Sequence, residues 1–272
     1  MPNLLSKFKR VGERMIAPRT TRERQERFRL GSMPRYLETT TDLPGVPFQI
    51  PDGPSFLASW QEIFDREIYN FNAAEGPVRI LDCGANVGVS CLYFYKRFPR
   101  ARITAFEPDP KIFKFLQTNL TRAGCRNIEL IPKAVWSSNT NLKFHSEGAD
   151  GGRVESSPTG ETIEIPAIRL RDFLNEPVDL LKMDIEGAET EVMKDIAPCL
   201  PKVRNIFVEY HSFAARPQTL GNLIQILTDA RFRVHLHPMH VAPQPFIEIK
   251  SHLGMDMQLN IFASRESDGP TA

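Results

Sequence analysis

Apolar positions along this chain change spacing in a regular alternation. From Ser55 to Phe71 the residues Phe56, Leu57, Trp60, Ile63, Phe64, Ile68 and Phe71 fall three or four apart, which predicts a helix. Short apolar runs follow at 78–83, 102–107 and 128–132, separated by amphipathic stretches at Val87–Phe98 and Lys111–Ala123. Pro99 stops the first of these helices and Gly124 closes the second. Strand-helix-strand-helix-strand predicts a parallel sheet with helices on both faces. Asn141–Ser146 and Glu161–Ala167 alternate around a loop rich in Gly, Ser and Asp, so a hairpin is expected as an insertion over about 140–167. Val178–Asp184 predicts a fourth parallel strand and Val203–Tyr210 a fifth, with helices at Ala188–Ile196 and Thr219–Ala230. Arg231–Leu236 and Met257–Ala263 are the last strands, joined by a loop with Pro238, Pro243 and Pro245. Residues 31–54 have little periodicity. The expected division is a basic arm with an irregular lead-in over 1–54, one α/β domain over 55–264, and a flexible tail over 265–272.

Composition narrows the class. Hydrophobic residues are 41% of 272, enough for a core. No apolar run approaches the ~18 residues needed to span a bilayer, and the N-terminus lacks the apolar stretch of a secretory signal. Cys83, Cys91, Cys125 and Cys199 show no paired spacing, which points to a reducing, cytoplasmic setting and to neither a disulfide scaffold nor a zinc site. Charge is uneven: residues 1–30 hold nine basic and three acidic residues, and the rest holds 25 basic and 30 acidic. The basic stretch can lie on an acidic membrane surface as a peripheral contact, although a solvated, partly helical arm broken at Pro18 is the simpler expectation. The acidic body argues against nucleic acid as a partner.

The chemistry gathers at strand ends, where open parallel sheets bind ligands. The first strand ends in Asp82 and runs into the turn Gly84-Ala85-Asn86-Val87-Gly88; the second ends in Glu107. A carboxylate at that second position grips a ribose in doubly wound folds. Asn86 stands where a dinucleotide fingerprint needs its middle glycine, and Asp82 would repel a pyrophosphate. A cofactor with an ammonium, a sulfonium and a ribose but no phosphate fits better, and S-adenosylmethionine is such a molecule. The fourth strand end carries Asp184, Glu186 and Glu189 beside Lys182. Glu186 and Glu189 are also placed to meet a helix dipole. The fifth ends in Glu209-x-His211, whose side chains share a face by the period of two. A carboxylate and an imidazole beside a methyl donor suit general-base catalysis on a hydroxyl. Asp184, Glu209 and His211 can alternatively hold a divalent metal. His235-x-His237 lacks such a setting and reads as a surface feature.

These motifs together resemble the FkbM family of S-adenosylmethionine-dependent methyltransferases over about residues 55–212. The resemblance rests on Glu62-Ile63-Phe64, Tyr69-Asn70-Phe71, Leu81 to Gly88, Phe106-Glu107-Pro108, Leu181 to Glu189 and Glu209-Tyr210-His211. It implies a doubly wound, mostly parallel seven-stranded sheet of the class I methyltransferase kind, with the last strand antiparallel. It implies methyl transfer, commonly to a hydroxyl of a glycan or natural product. Asp82, Gly84, Asn86 and Gly88 would line the methionine end of the cofactor, Glu107 the ribose, and Ala134 and Val135 the adenine. We expect His211, Asp184 and Glu209 to be catalytic and Glu186 and Arg153 to face the acceptor, with loops 147–160 and 238–256 as its cover. A cofactor-binding scaffold without catalysis and an NAD-dependent sugar-nucleotide oxidoreductase are the alternatives from other classes.

Overall fold

In the computed structural model the described residues are 20–73, 76–146, 153–154, 161–249 and 251–265. The main sheet has seven strands: β3 (Arg79–Cys83), β4 (Arg102–Phe106), β5 (Ile128–Ile131), β10 (Val178–Met183), β11 (Val203–Phe213), β12 (Arg233–Val241) and β13 (Met255–Ser264). Their spatial order is β12-β13-β11-β10-β3-β4-β5. All pairings from β11 across to β5 are parallel, and β13 runs antiparallel to both of its neighbours. This is the class I methyltransferase sheet. The chain winds outward from β3 through β4 and β5, then returns to begin again at β10 on the other side. The switch point therefore lies between β3 and β10.

Residues on these strands alternate between two cores. Ile80, Leu180 and Phe207 face α2 (Gly53–Trp60), α3 (Val89–Arg97) and α4 (Pro110–Arg122). Leu81, Leu181 and Val208 face α5 (Glu189–Ile196) and α6 (Leu220–Asp229). On the first face the apolar rows give way to charge towards the carboxyl ends. Asp82 is in register with Lys182, which is in register with Phe207. Two residues further on come Gly84, Asp184 and Glu209, and then His211. The period of two thus brings residues over a hundred positions apart to one edge of the sheet.

Three parts of the chain differ from the pattern-based expectation. Residues 31–54 are not irregular throughout: β1 (Thr39–Thr41) and β2 (Phe48–Ile50) form an antiparallel pair, preceded by α1 (Thr21–Gly31). Leu30, Phe48 and Ile50 are fully buried and join the core of the first face. Arg27 makes two bonds to Asp65, at 2.8 and 3.0 Å, and Asn119 binds the backbone of Gln49 on both sides. Two three-residue strands are too short to show a period. Second, the helix at 55–71 is α2 followed by a π turn at Gln61–Asp65, and it ends before Glu67, whose φ is positive. Third, Ala134 and Val135, which the sequence places after the third strand, are themselves in a strand. They belong to β6 (Ala134–Trp136), which pairs with β9 (Glu161–Arg169) in a four-stranded sheet with β7 (Thr140–Ser146) and β8 (Arg153–Val154). The antiparallel pairing of β7 with β9 forms the inserted hairpin. Residues 1–19, most of the loop 147–160, and the tail from 266 lie outside the described residues. No helix among the described residues is long and apolar enough to cross a membrane.

Candidate active site

The turn after β3 is shaped by its contact with the turn after β10. Gly84 has φ of 83°, and a Cβ there would lie 1.8 Å from the carbonyl oxygen of Asp184. Only glycine allows that approach. Asn86 also has positive φ, and its backbone N–H donates to Glu107 Oε2 at 2.9 Å. Gly88 ends the turn, where a Cβ would meet Leu116 at 2.9 Å, so its bareness lets α3 and α4 pack closely.

Beneath this turn Asp82 is fully buried. It accepts from Ser90 Oγ at 2.6 Å and lies 3.3 Å from Lys182 Nζ. Lys182 also lies 3.5 Å from Asp184 and donates to the carbonyl of Gly84. Burial disfavours the charged ammonium, but Asp82 and Asp184 outweigh it and raise the Lys182 pKa well above the ordinary lysine value. Asp82 is therefore the floor of the turn and is not among the residues that line the cleft above it. Glu107 is buried as well, with each carboxylate oxygen bonded to one backbone N–H, of Asn86 and of Asp109. Burial pushes it up to about 7 despite those bonds.

A cleft of about 670 Å³ opens over Gly84–Val87, Ser90, Lys182, Asp184, Glu186, Glu209 and His211. Glu107, Ala134 and Val135 do not line it; the last two are buried, Ala134 in the core under the second sheet and Val135 in the core of the second face. Arg153 sits in β8, paired with His145 of β7 in the four-stranded sheet. The outer walls come from α2, its π turn and the residue after it (Ser55, Ser59, Glu62, Arg66), from Pro238 and Met239 of β12, and from His252 and Leu253 between β12 and β13.

His211 is the centre of the acidic end. Its Nδ1 lies 3.0 Å from Glu189 Oε1, and its Nε2 lies 3.6 Å from Glu186 and 3.7 Å from Glu209. Glu189 is almost wholly buried and also accepts from the N–H of Gly187 at 2.9 Å. Burial alone would lower the imidazole's pKa, but the three carboxylates outweigh it and raise it well above the usual histidine range. Burial, with Asp184 close by, pushes Glu209 up to about 7, and burial likewise raises Glu186. Glu186 reaches the cluster from a backbone with φ of 57°. Asp184, Glu186 and His211 each offer a ligand atom within 4.8 Å of the others, so Glu186 takes the place in a candidate metal set that spacing gave to Glu209.

The pattern-based reading named Asp184, Glu186, Glu209 and His211, and these meet in the cleft. It missed the pairing of Glu189 with His211, the bracing role of Lys182, and the α2 wall. The signal for Glu189 was present, because a carboxylate in the first turn after a strand end can point back across the sheet. Nothing in the sequence marked α2 as a wall.

The donor set suits a cationic cofactor without phosphate. Carboxylates crowd the cleft floor, the glycine turn leaves backbone open, and the one buried ammonium is already paired. The sheet and this site together define a class I methyltransferase whose cofactor is S-adenosylmethionine. The chain belongs to the FkbM methyltransferase family: the family model described as Methyltransferase FkbM domain matches residues 82–234. It is 27% identical over 214 residues to 31-O-demethyl-FK506 methyltransferase FkbM of Streptomyces tacrolimicus, covering 64% of this chain and 81% of that protein. It is 28% identical over 167 residues to the 2-O-methyltransferase NoeI of Sinorhizobium fredii, covering 53% and 68%. It is 31% identical over 145 residues to the hexuronic acid methyltransferase AglP of Haloferax volcanii, covering 51% and 58%.

Proposed function

We propose that the protein methylates a hydroxyl oxygen of a glycan or small natural product, with Glu209 and His211 receiving the hydroxyl proton and Asp184 helping to hold the acceptor. The observation that carries this reading is His211 itself. Its Nδ1 is fixed by a buried carboxylate, which leaves Nε2 directed at the carboxylates of the cleft. A base oriented by a third group is the usual means of activating a hydroxyl nucleophile. When bound, S-adenosylmethionine supplies an electrophilic methyl group on a positively charged sulfur. His211 begins as an imidazolium. It passes its Nε2 proton to Glu186 or Glu209, 3.6 and 3.7 Å away, and the freed Nε2 then accepts the hydroxyl proton as the oxygen bonds the methyl carbon and the carbon–sulfur bond breaks. The cleft walls hold the acceptor oxygen in line, which contributes most of the rate. A floor of carboxylates disfavours a polyphosphate, in keeping with a small acceptor rather than nucleic acid. The names of FkbM and NoeI specify oxygen as their acceptor, and that of AglP a sugar acid; these support the reading by analogy.

Metal assistance is a second reading, favoured by the convergence of Asp184, Glu186 and His211 within 4.8 Å. These residues would hold a divalent ion that polarises the acceptor hydroxyl. One experiment addresses both. Replacing His211 with Ala should lower S-adenosylhomocysteine release by ~10²–10⁴-fold on a hydroxylated acceptor, with cofactor affinity by calorimetry nearly unchanged. Unchanged turnover removes His211 from the mechanism. Activity abolished by EDTA and restored by Mg²⁺ selects the metal reading.

A further inference from the structure

Every N–H of the glycine turn is used inside the protein. Gly84 and Ala85 both donate to the carbonyl of Phe106, Asn86 to Glu107, Val87 to the side chain of Asn86, and Gly88 to the carbonyl of Ala85. The turn can be approached closely, but it offers a ligand no donor. The buried side-chain donors that line the cleft are in much the same state. Ser90 donates to Asp82, Lys182 faces Asp82 and Asp184, and His211 is paired with Glu189. Tyr69, between the π turn and β3, is the exception. It lines the cleft and is only 6% exposed, yet its hydroxyl has no hydrogen-bond partner among the described residues.

The ring is fixed by its neighbours. It packs edge-on against Phe207 of β11, with centroids 4.8 Å apart, and tilted against Phe94 of α3 at 5.6 Å. A buried hydroxyl left unpaired is costly, and a ligand that completes it explains its retention. Burial raises the phenol well above the ordinary tyrosine value, against the pull of the Lys182 ammonium, so it is a donor at every working pH. S-Adenosylmethionine carries two cations, the sulfonium and the ammonium, and one anion, its carboxylate. The acids of the cleft, Asp184, Glu186 and Glu209, suit the cations. The carboxylate needs a donor, and the turn has none to give. Of the charges around the phenol, Lys182 acts most strongly, and it offsets the repulsion of an anion by Asp184 and Glu209. The cations of the outer wall are engaged elsewhere: Arg35 with Asp52, and Arg66 with Glu62 at 3.5 Å, where it is 67% exposed and screened by water.

We propose that the Tyr69 hydroxyl donates to the carboxylate of S-adenosylmethionine and so fixes the amino-acid end of the cofactor. The assignment holds whichever hydroxyl is methylated. The test is titration calorimetry of the full-length wild type and Tyr69→Phe with three ligands: S-adenosylmethionine, S-adenosylhomocysteine, and decarboxylated S-adenosylmethionine, which keeps both cations and lacks only the carboxylate. The variant should bind the first two about tenfold more weakly, as befits a lost bond to a charged group, and the third as the wild type does. Phenylalanine keeps the ring between Phe94 and Phe207, so the melting temperature of the ligand-free variant should not fall. A clear fall would mean that the hydroxyl already has a partner in the fold, and would overturn the proposal. Equal weakening for all three ligands would make Tyr69 a packing residue and overturn it as well. So would unchanged affinities with reduced turnover, which would put the hydroxyl against the acceptor, or unchanged affinities and turnover together. Cofactor binding needs no acceptor, so a failure here leaves the reading of His211 intact.

Discussion

Two buried charge clusters sit side by side at the same sheet edge, and they are built differently. Around Lys182 one ammonium faces two carboxylates, Asp82 and Asp184, and is capped by the carbonyl of Gly84. Around His211 one imidazole faces three, Glu186, Glu189 and Glu209. A fully buried pair such as Lys182 with Asp82 is a structural brace, costly to break. The more acid-rich cluster holds the larger surplus of negative charge that a cation or a proton must neutralise, so it is where ligand and chemistry are felt. The difference separates scaffold from machinery within a few ångströms.

Breaking the brace should give the larger effect on folding. Lys182→Met leaves Asp82 buried without its partner and should cost about 3–5 kcal/mol in urea unfolding. A loss below about 1 kcal/mol would mean that Asp82 takes up a proton at little cost and that the two clusters are less distinct than drawn. In the second cluster, Glu189→Gln keeps the volume but removes the charge that orients His211. It should lower turnover by about 10²–10⁴-fold while moving the unfolding midpoint far less than Lys182→Met does. A pH–rate profile separates positioning from mere packing: the imidazole's pKa should fall in the variant, and an unshifted profile would refute the assignment.

The smallest expected effect is on cofactor affinity and pH. Glu209 lines the cleft and is pushed up to about 7. It is neutral below that pH and anionic above it, and a cation binds the anionic form better. S-Adenosylmethionine should therefore bind severalfold more tightly at pH 8 than at pH 6 in titration calorimetry. S-Adenosylhomocysteine, which lacks the sulfonium charge, should show a weaker dependence. Identical pH dependence for the two would indicate that the surplus negative charge does not face the sulfur.

Much of this arrangement was legible in the chain. Alternating strands and helices gave the sheet, because each element buries one face and so shows its period. The strand-end residues Asp184, Glu209 and His211 were found because parallel sheets bind at carboxyl ends. What was not legible depended on contacts between distant segments. β1 and β2 are too short for a period, and β2 is held in place by the core around Phe48 and Ile50 and by Asn119, some seventy residues away. Ala134 and Val135 were placed beside the adenine, but they begin a strand of a second sheet, which a three-residue run does not announce. Asp82 read as a ligand because an acid before a glycine turn is unusual, yet the lysine a hundred residues later claims it.

The bare α-carbon of Gly84 has one more consequence. With no side chain between the turns after β3 and β10, the spacing between donor and acceptor sites is set by backbone against backbone. The cleft walls, in contrast, come from α2 and the β12–β13 tip, which hang from other parts of the chain. Reach and taste are thus separately inherited: on the proposed reading, exchanging the walls would change which acceptor is admitted while the transfer distance stays fixed. A library seeking new acceptors would leave position 84 alone and diversify Ser55, Ser59, Met239 and Leu253.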